Sequence, residues 1–139
     1  MTFNFKNFLR KFARKIFYHT PPETIQVRKK NFIGKQVKLI NCGDLNKEKI
    51  FYIIQRYGGE GALFSDVTYV VNHLKVADDY GFIPIVDMEN FTNPYNEKNQ
   101  INNTLNSWEY YFNQTSNYSL EDIYKSKNVI FSRGDFNKE

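Results

Sequence analysis

The sequence has few of the residues that build disulfide-bonded or metal-cluster proteins. Its 139 residues include one cysteine, Cys42, and two histidines, so no internal disulfide and no multi-cysteine metal site can form. No apolar run approaches the roughly 20 residues of a membrane-spanning helix, and the N-terminus lacks the apolar segment of a secretory signal. A length of 139 residues suits a single domain. The absences predict that it binds no metal and that it folds in a reducing, cytoplasmic compartment.

Acidic residues are almost missing from the first quarter of the chain. Residues 1–38 contain ten basic side chains and one acidic side chain, a net charge of +9. The remainder contains nine basic and fourteen acidic side chains, a net charge of −5. The positive charge therefore belongs to an N-terminal arm and not to the domain, and nucleic-acid binding is not predicted.

The arm, residues 1–22, has the pattern of a basic amphipathic helix. Apolar side chains recur at helical spacing between Phe5 and Phe17, lysines and arginines occupy the other face, and Pro21-Pro22 ends the helix. Such a helix either packs against protein or lies on an anionic membrane surface. In the second case the candidate membrane-binding residues are Phe8, Lys11, Phe12, Arg14 and Lys15.

The sequence pattern of residues 23–49 predicts a β-hairpin followed by a polar connector. Ile25 and Val27 alternate with polar neighbours, as do Val37 and Leu39, and Gly34 lies between the two pairs. Alternation of this kind around a glycine is typical of two short paired strands.

Residues 50–139 predict an α/β domain. Ile50–Ile54 is a continuous apolar run, which is typical of a strand buried on both faces. A helix over 64–80 should begin near Ser65 or Asp66 and end at Gly81. A second strand over 83–87 completes a right-handed parallel crossover.

The rest of this domain is predicted from weaker patterns. Residues 90–107 are polar and asparagine-rich and predict a long loop, and Trp108–Phe112 predicts a short helix. A further helix should run from Ser119 to about Lys127, before a third strand at Val129–Phe131. The predicted fold class is an incomplete Rossmann-like three-layer α/β domain with a short parallel sheet and the first strand central.

The candidate ligand site lies after the first strand and at the end of the second. Glycines there let the main chain approach a ligand, and a helix N-terminus favours an anion. The dinucleotide pattern is weak, because Phe64 stands where the third glycine would be. Glu60 lies inside the glycine turn, and its carboxylate would repel a phosphate group. This favours a sugar as the ligand at this position. The candidate substrate-binding residues are Gly58, Gly59, Glu60, Gly61, Ser65, Asn90 and Trp108.

Two acidic residues at the end of the second strand are candidate bases. Asp87 could bind a ribose or sugar hydroxyl or act as a general base, and Glu89 points to the same edge. Alternatively, both residues only hold the loop that follows. His73 and Trp108 are better explained by packing than by chemistry, although the Trp108 ring could stack on a sugar.

The stretch FYIIQRYGGEGALFSDVTYVVNHLKVADDYGFIPIVDMENF, residues 51–91, resembles the start of fucosyltransferase-like glycosyltransferases of GT-B architecture. The later stretches NSWEYYF and SLEDIYKSKNVIFS resemble bacterial members found among surface-polysaccharide genes. Two departures stand out. Ala62 follows the glycine turn where relatives often carry an asparagine that contacts the sugar nucleotide. The second Rossmann-like domain, which carries the family's donor-binding motif, does not follow in this sequence.

The resemblance implies an N-terminal, acceptor-side portion of a glycosyltransferase. This portion is expected to be inactive alone, because another domain would hold the donor. It implies a nucleotide sugar, with GDP-fucose as the candidate, a glycan or lipid-linked acceptor, and no other cofactor. The arm would attach the enzyme to the inner face of a membrane. Two alternatives remain open: a small Rossmann-like domain that binds a nucleotide or S-adenosylmethionine, and a non-enzymatic module that binds a membrane or a partner.

Overall fold

The computed structural model describes residues 29, 32–33, 37–56 and 62–133. The amphipathic arm, the first predicted hairpin strand and the glycine turn, residues 57–61, lie outside the described residues. The predictions made for those segments therefore stay predictions.

Three parallel strands form one open sheet in the order β2-β1-β3. They are β1 (Phe51–Gln55), β2 (Ile83–Asp87) and β3 (Val129–Phe131). Phe51 lies opposite Ile83 on one side and Val129 on the other. All five residues of β1 are buried, because neighbouring strands cover both of its edges and apolar side chains cover both faces of the sheet. The prediction of an α/β chain with a short parallel sheet and the first strand central is confirmed.

The helix α1 (Leu63–Tyr80) connects β1 to β2 and ends as predicted. Gly81 takes a left-handed conformation with φ of 65°. Its N–H donates to the Asp78 carbonyl at 3.2 Å, and the N–H of Phe82 donates to the Ala77 carbonyl at 2.8 Å. A residue without a Cβ adopts this conformation at little cost, so the chain can turn directly into β2.

The start of α1 differs from the prediction. Neither Ser65 nor Asp66 is the N-cap; the helix begins at Leu63 after Ala62, which provides no side-chain cap. The two predicted capping side chains bind Arg56 instead. Arg56 Nη2 donates to Ser65 Oγ at 2.9 Å, and Arg56 Nε lies 2.9 Å from Asp66 Oδ1. A tertiary contact to the end of β1 has therefore replaced local capping.

The core consists of two apolar clusters, one on each face of the sheet. Tyr52 and Ile54 face α1, where they pack with Val70 and Ala77. Alternate residues of β1 face the other way and pack against residues 118–124 and β3; this second cluster contains Phe51, Ile53, Ile85, Phe91, Ile123, Val129 and Phe131. The alternation follows from the two-residue period of a strand.

Side chains cover the outer edge of β2. Gln114 Oε1 accepts from the Val86 N–H at 2.8 Å, and Gln114 Nε2 donates to the Val86 carbonyl at 2.9 Å. Asn106 Nδ2 donates to the same carbonyl at 2.8 Å. Pro84, which has no N–H to donate, fits only an edge strand of this kind. The amide groups of the long polar segment therefore replace a fourth strand.

Two short helices follow the long loop. The 3-10 helix Ser107–Tyr110 lies where a short helix from Trp108 was predicted. The helix α2 (Leu120–Ile123) begins after Ser119, whose Oγ accepts from the Asp122 N–H at 3.0 Å, as the sequence indicated. The predicted extension to Lys127 is wrong. The N–H of Ser126 instead donates to the Ile123 carbonyl at 2.9 Å, a tight turn that leads directly to β3.

The predicted hairpin is not found over the part of it that the structure describes. Phe32 and Ile33 are helical, and residues 37–39 form no strand. Ile40 instead makes an antiparallel bridge to Val129, because the outer edge of β3 offers unpaired main-chain groups. Further along, Gly43 lies so close to Lys125 that a Cβ there would be 2.3 Å from the Lys125 carbonyl oxygen.

Candidate functional site

The carboxyl ends of the three strands meet at one edge of the sheet. Gln55 ends β1, Asp87 ends β2 opposite it, and Ser132 follows β3. Ser132 Oγ accepts from the Gln55 N–H at 3.1 Å, which joins two of these ends. From β1 the chain proceeds to β2 on one side and later reaches β3 on the other. In open α/β sheets, ligands bind outside the carboxyl ends of the strands at such a switch point.

Asp87 is 0% exposed, and its carboxylate accepts four hydrogen bonds. Oδ1 accepts from the N–H groups of Glu89, at 3.1 Å, and Asn90, at 2.9 Å. Oδ2 accepts from Asn90 Nδ2 at 3.0 Å and from the Tyr124 hydroxyl at 2.5 Å. Each oxygen has thus filled its two acceptor positions. The arrangement holds the loop after β2, one of the roles that the sequence had allowed for this residue.

Glu89 differs from Asp87 in its exposure and its electrostatics. The residue is exposed, and its main-chain N–H, not its carboxyl group, contacts Asp87. Desolvation raises the pKa of the Glu89 carboxyl, and the nearby charges of Asp87 and Glu109 raise it further. A raised pKa makes a carboxylate a stronger base. Of the two predicted candidates, Glu89 is thus the exposed residue and Asp87 the buried one.

Arg56 ties the end of β1 to the first turn of α1. Besides its contacts to Ser65 Oγ and Asp66, its Nη1 donates to the Ser65 carbonyl at 2.9 Å, and its guanidinium lies 5.2 Å from the ring centroid of Tyr69. Desolvation raises the pKa of Asp66, while the charge of Arg56 lowers it. This contact fixes the N-terminus of α1 beside the sheet edge.

His73 packs on the face of the sheet that α1 covers. Its Nδ1 lies 2.7 Å from the Tyr52 hydroxyl, and its ring lies 4.3 Å from that of Tyr69. Burial lowers the pKa of His73, and the charge of Arg133 lowers it further. Burial also raises the pKa of Tyr52. A neutral imidazole can accept a hydrogen bond from the Tyr52 hydroxyl, so this pair joins the helix to the sheet.

The remaining predicted residues occupy different environments. Asn90 binds Asp87, and Ser65 binds Arg56. Trp108 is 3% exposed and stacks on Phe112 at a centroid distance of 4.4 Å, so its ring belongs to the core. Gly58, Gly59, Glu60 and Gly61 lie outside the described residues.

The prediction from the sequence missed two features of this edge. The Gln55 side chain is buried, and its Oε1 has no hydrogen-bond partner in the part of the chain that the structure describes. Phe64, in the first turn of α1, is 81% exposed. A glutamine that ends an otherwise apolar strand was the available signal for the first feature. The second had no signal, because exposure of Phe64 depends on where the helix begins.

Comparison of the chain with protein-family models, curated proteins and solved structures gave no match. Within the described ranges, no helix has the length and hydropathy needed to cross a bilayer. The same residues contain no group of three or more His, Cys, Asp or Glu side chains that could bind a metal ion. The candidate site is therefore defined by the geometry of the sheet edge.

Proposed function

We propose that this chain forms the acceptor-side part of a glycosyltransferase that moves a sugar from a nucleotide-sugar donor to a glycan or lipid-linked acceptor. One observation carries the proposal: Gln55, the loop held by Asp87, and Ser132 meet at the carboxyl edge of a parallel β2-β1-β3 sheet. This is the ligand-binding edge of Rossmann-like folds, of which the chain would contain an incomplete three-layer example. The resemblance of residues 51–91 supplies the reaction class.

In this mechanism, Glu89 is the general base and Asp87 is a positioning residue. The acceptor hydroxyl oxygen forms a bond to the anomeric carbon of the donor sugar while the bond from that carbon to the nucleotide breaks. The proton of the hydroxyl passes to the Glu89 carboxylate, and the nucleotide leaves with the bonding electrons. Four hydrogen bonds to Asp87 keep the loop that carries Glu89 in place. The resemblance assigns the nucleotide to a separate domain.

Ligand titration of the isotope-labelled chain, followed by amide NMR, tests this assignment. The probes are methyl glycosides of galactose, glucose and N-acetylglucosamine, together with GDP, GDP-fucose, NAD and S-adenosylmethionine. We expect a glycoside to shift the amide signals of Glu89, Asn90 and Ser132. Shifts caused only by NAD or S-adenosylmethionine would favour a small nucleotide- or methyl-donor-binding domain. Absence of shifts with every probe would reject the enzyme assignment and favour a non-enzymatic module.

A pair of exposed apolar side chains provides a matched comparison for this titration. Phe64 presents an aromatic ring at the first turn of α1, where it can stack on the apolar face of a sugar. Leu45 is 46% exposed near the opposite, amino end of β3, where its main chain pairs with Lys125 and Lys127. We expect Phe64→Ala to weaken glycoside binding by about fivefold, in line with roughly 1 kcal/mol for an aromatic contact. Leu45→Ala should leave binding unchanged.

We further propose that the basic arm attaches the enzyme to the inner, anionic face of a membrane. Each basic residue near such a surface contributes about 1 kcal/mol, and salt weakens this contribution. Lys11→Glu with Arg14→Glu should strongly reduce co-sedimentation with anionic vesicles. Phe8→Ala with Phe12→Ala should remove the binding that resists high salt. If the wild-type chain binds no anionic vesicles at low salt, the attachment is rejected.

A further inference from the structure

Gln55 is the only residue of the central strand with an amide side chain. Apolar or aromatic side chains fill the four preceding positions of β1, and Gln55 itself is 1% exposed. By strand alternation its side chain lies on the same face as Phe51 and Ile53. Asp87 lies opposite it in the register of β1 and β2. Gln55 is thus at the carboxyl edge of the sheet, one residue before the half-buried Arg56.

The Gln55 side chain differs from the other buried polar groups near this edge. Asp87 Oδ1 and Oδ2 each accept two hydrogen bonds, and the Asn106 amide binds Met88 and Val86. Gln55 Oε1, in contrast, has no donor among the described residues. Buried polar atoms without a partner are few in folded proteins, because desolvation costs free energy that a hydrogen bond normally returns. A methionine or leucine would fill the same space without this cost.

We propose that the Gln55 amide binds a hydroxyl group of the sugar ligand and thereby selects sugars by the position of that hydroxyl. The inference rests on the proposed function and names the residue that determines its specificity. A hydroxyl is the fitting partner because it both donates and accepts, so it can pair with the amide in either orientation. The sugar hydroxyl would approach Gln55 from outside the carboxyl ends of the strands, where ligands of open α/β sheets bind.

The substitution Gln55→Met tests the proposal, since methionine keeps the length and approximate volume of the side chain but removes the amide. Urea unfolding gives the stability of the variant, and NMR titration with the best-binding methyl glycoside gives its affinity. We expect stability equal to or above that of the wild type, together with affinity about tenfold lower, the usual effect of one lost hydrogen bond. A residue with only a structural role would show the opposite pattern, lower stability with unchanged affinity.

Monodeoxy analogues of the same glycoside identify the hydroxyl. One analogue should bind the wild-type chain about tenfold more weakly than the parent sugar but bind Gln55→Met as well as the parent does. The other analogues should affect both proteins equally. This double comparison isolates the pair from general losses of affinity. Ile54→Val is the control, because Ile54 is buried on the other face of the same strand and its loss of one methylene lowers stability without altering the site.

The possible failures are distinguishable. If no methyl glycoside binds the wild-type chain at the sheet edge, the proposed function fails and this inference fails with it. If a glycoside binds there but Gln55→Met binds it with unchanged affinity, only the role of Gln55 is rejected, and a buried water is then the partner of its amide. If every deoxy analogue weakens both proteins equally, the selection of a particular hydroxyl is likewise rejected.

Discussion

Replacing Asp87 with asparagine should destabilise the protein by about 2–3 kcal/mol. The carboxylate is fully buried and accepts four hydrogen bonds from Glu89, Asn90 and Tyr124. An asparagine oxygen can keep the two main-chain bonds, although it binds them more weakly than a charged oxygen does. Its NH₂ group then faces the two groups that had donated to Oδ2, the Asn90 amide and the Tyr124 hydroxyl. One hydrogen bond to a charged group contributes about 1.5–3 kcal/mol, and rotation of the Tyr124 hydroxyl recovers part of the loss.

Trp108 is the single tryptophan and is buried, so its fluorescence can follow urea unfolding directly. Tyr124→Phe removes one of the four bonds and should cost about 1–2 kcal/mol. The effects of Asp87→Asn and Tyr124→Phe should not add, because the two side chains share a bond. Glu89→Gln is the matched control and should stay within about 0.5 kcal/mol, since only its main chain binds Asp87. If Asp87→Asn also stays within that limit, the carboxylate does not hold the loop and the reasoning is wrong.

Three further predictions concern separate parts of the fold. Gly43→Ala should lower the free energy of unfolding in urea by about 1–3 kcal/mol, because the added Cβ would lie 2.3 Å from a main-chain oxygen. Gly81→Ala has open space around the added Cβ but a φ of 65°, so it should lower the free energy of unfolding by about 1 kcal/mol. Gln114→Ala should speed hydrogen exchange at the β2 amide it covers, and unchanged exchange would contradict the proposed edge cover. His73 has a pKa below that of an unfolded histidine, so the unfolded chain binds the extra proton first and stability should fall as the pH is lowered through about 6.5, the ordinary histidine pKa. His73→Gln should flatten this part of the stability–pH curve, and an unchanged curve would show that other groups cause it.

The strands and the end of α1 could be predicted because their signals are local. Ile50–Ile54 forms a continuous apolar run, and Gly81 follows the last turn of a helix, so the sequence near each element was sufficient. Ser119 likewise caps α2 through a bond to a residue three positions later. In each case the deciding interaction is either general burial or a contact within a few residues.

Two of the elements that were predicted wrongly depend on contacts outside the local sequence pattern. Ser65 and Asp66 were expected to cap α1, but Arg56 binds both of them. In the described part of the predicted hairpin, residues 37–39 form no strand, and Ile40 pairs with Val129, far along the chain. No local pattern contains this information, since the same residues would be good caps or strand formers if those distant partners were absent.

The candidate site was predicted only in its position. The edge after the first strand and the acidic end of the second were identified from residue types, and the structure brings Gln55 and Asp87 to that edge. The different environments of Asp87 and Glu89 could not be predicted, because they depend in part on a hydroxyl contributed by Tyr124. That Gln55 Oε1 has no partner among the described residues could not be predicted either, because whether a polar atom is satisfied depends on all of its neighbours.

The position of β3 in the sheet also constrains the order of events during synthesis. Gln55 and Ser132, which join the two strand ends, are 77 residues apart in the chain. As the polypeptide leaves the ribosome, β1, α1 and β2 can associate first, since their contacts are close in sequence. Until β3 has emerged, one edge of the central strand carries unpaired main-chain groups, and one face of the sheet lacks Ile123 and Phe131. The nascent chain therefore has an aggregation-prone interval, during which a chaperone that covers this strand edge would benefit it.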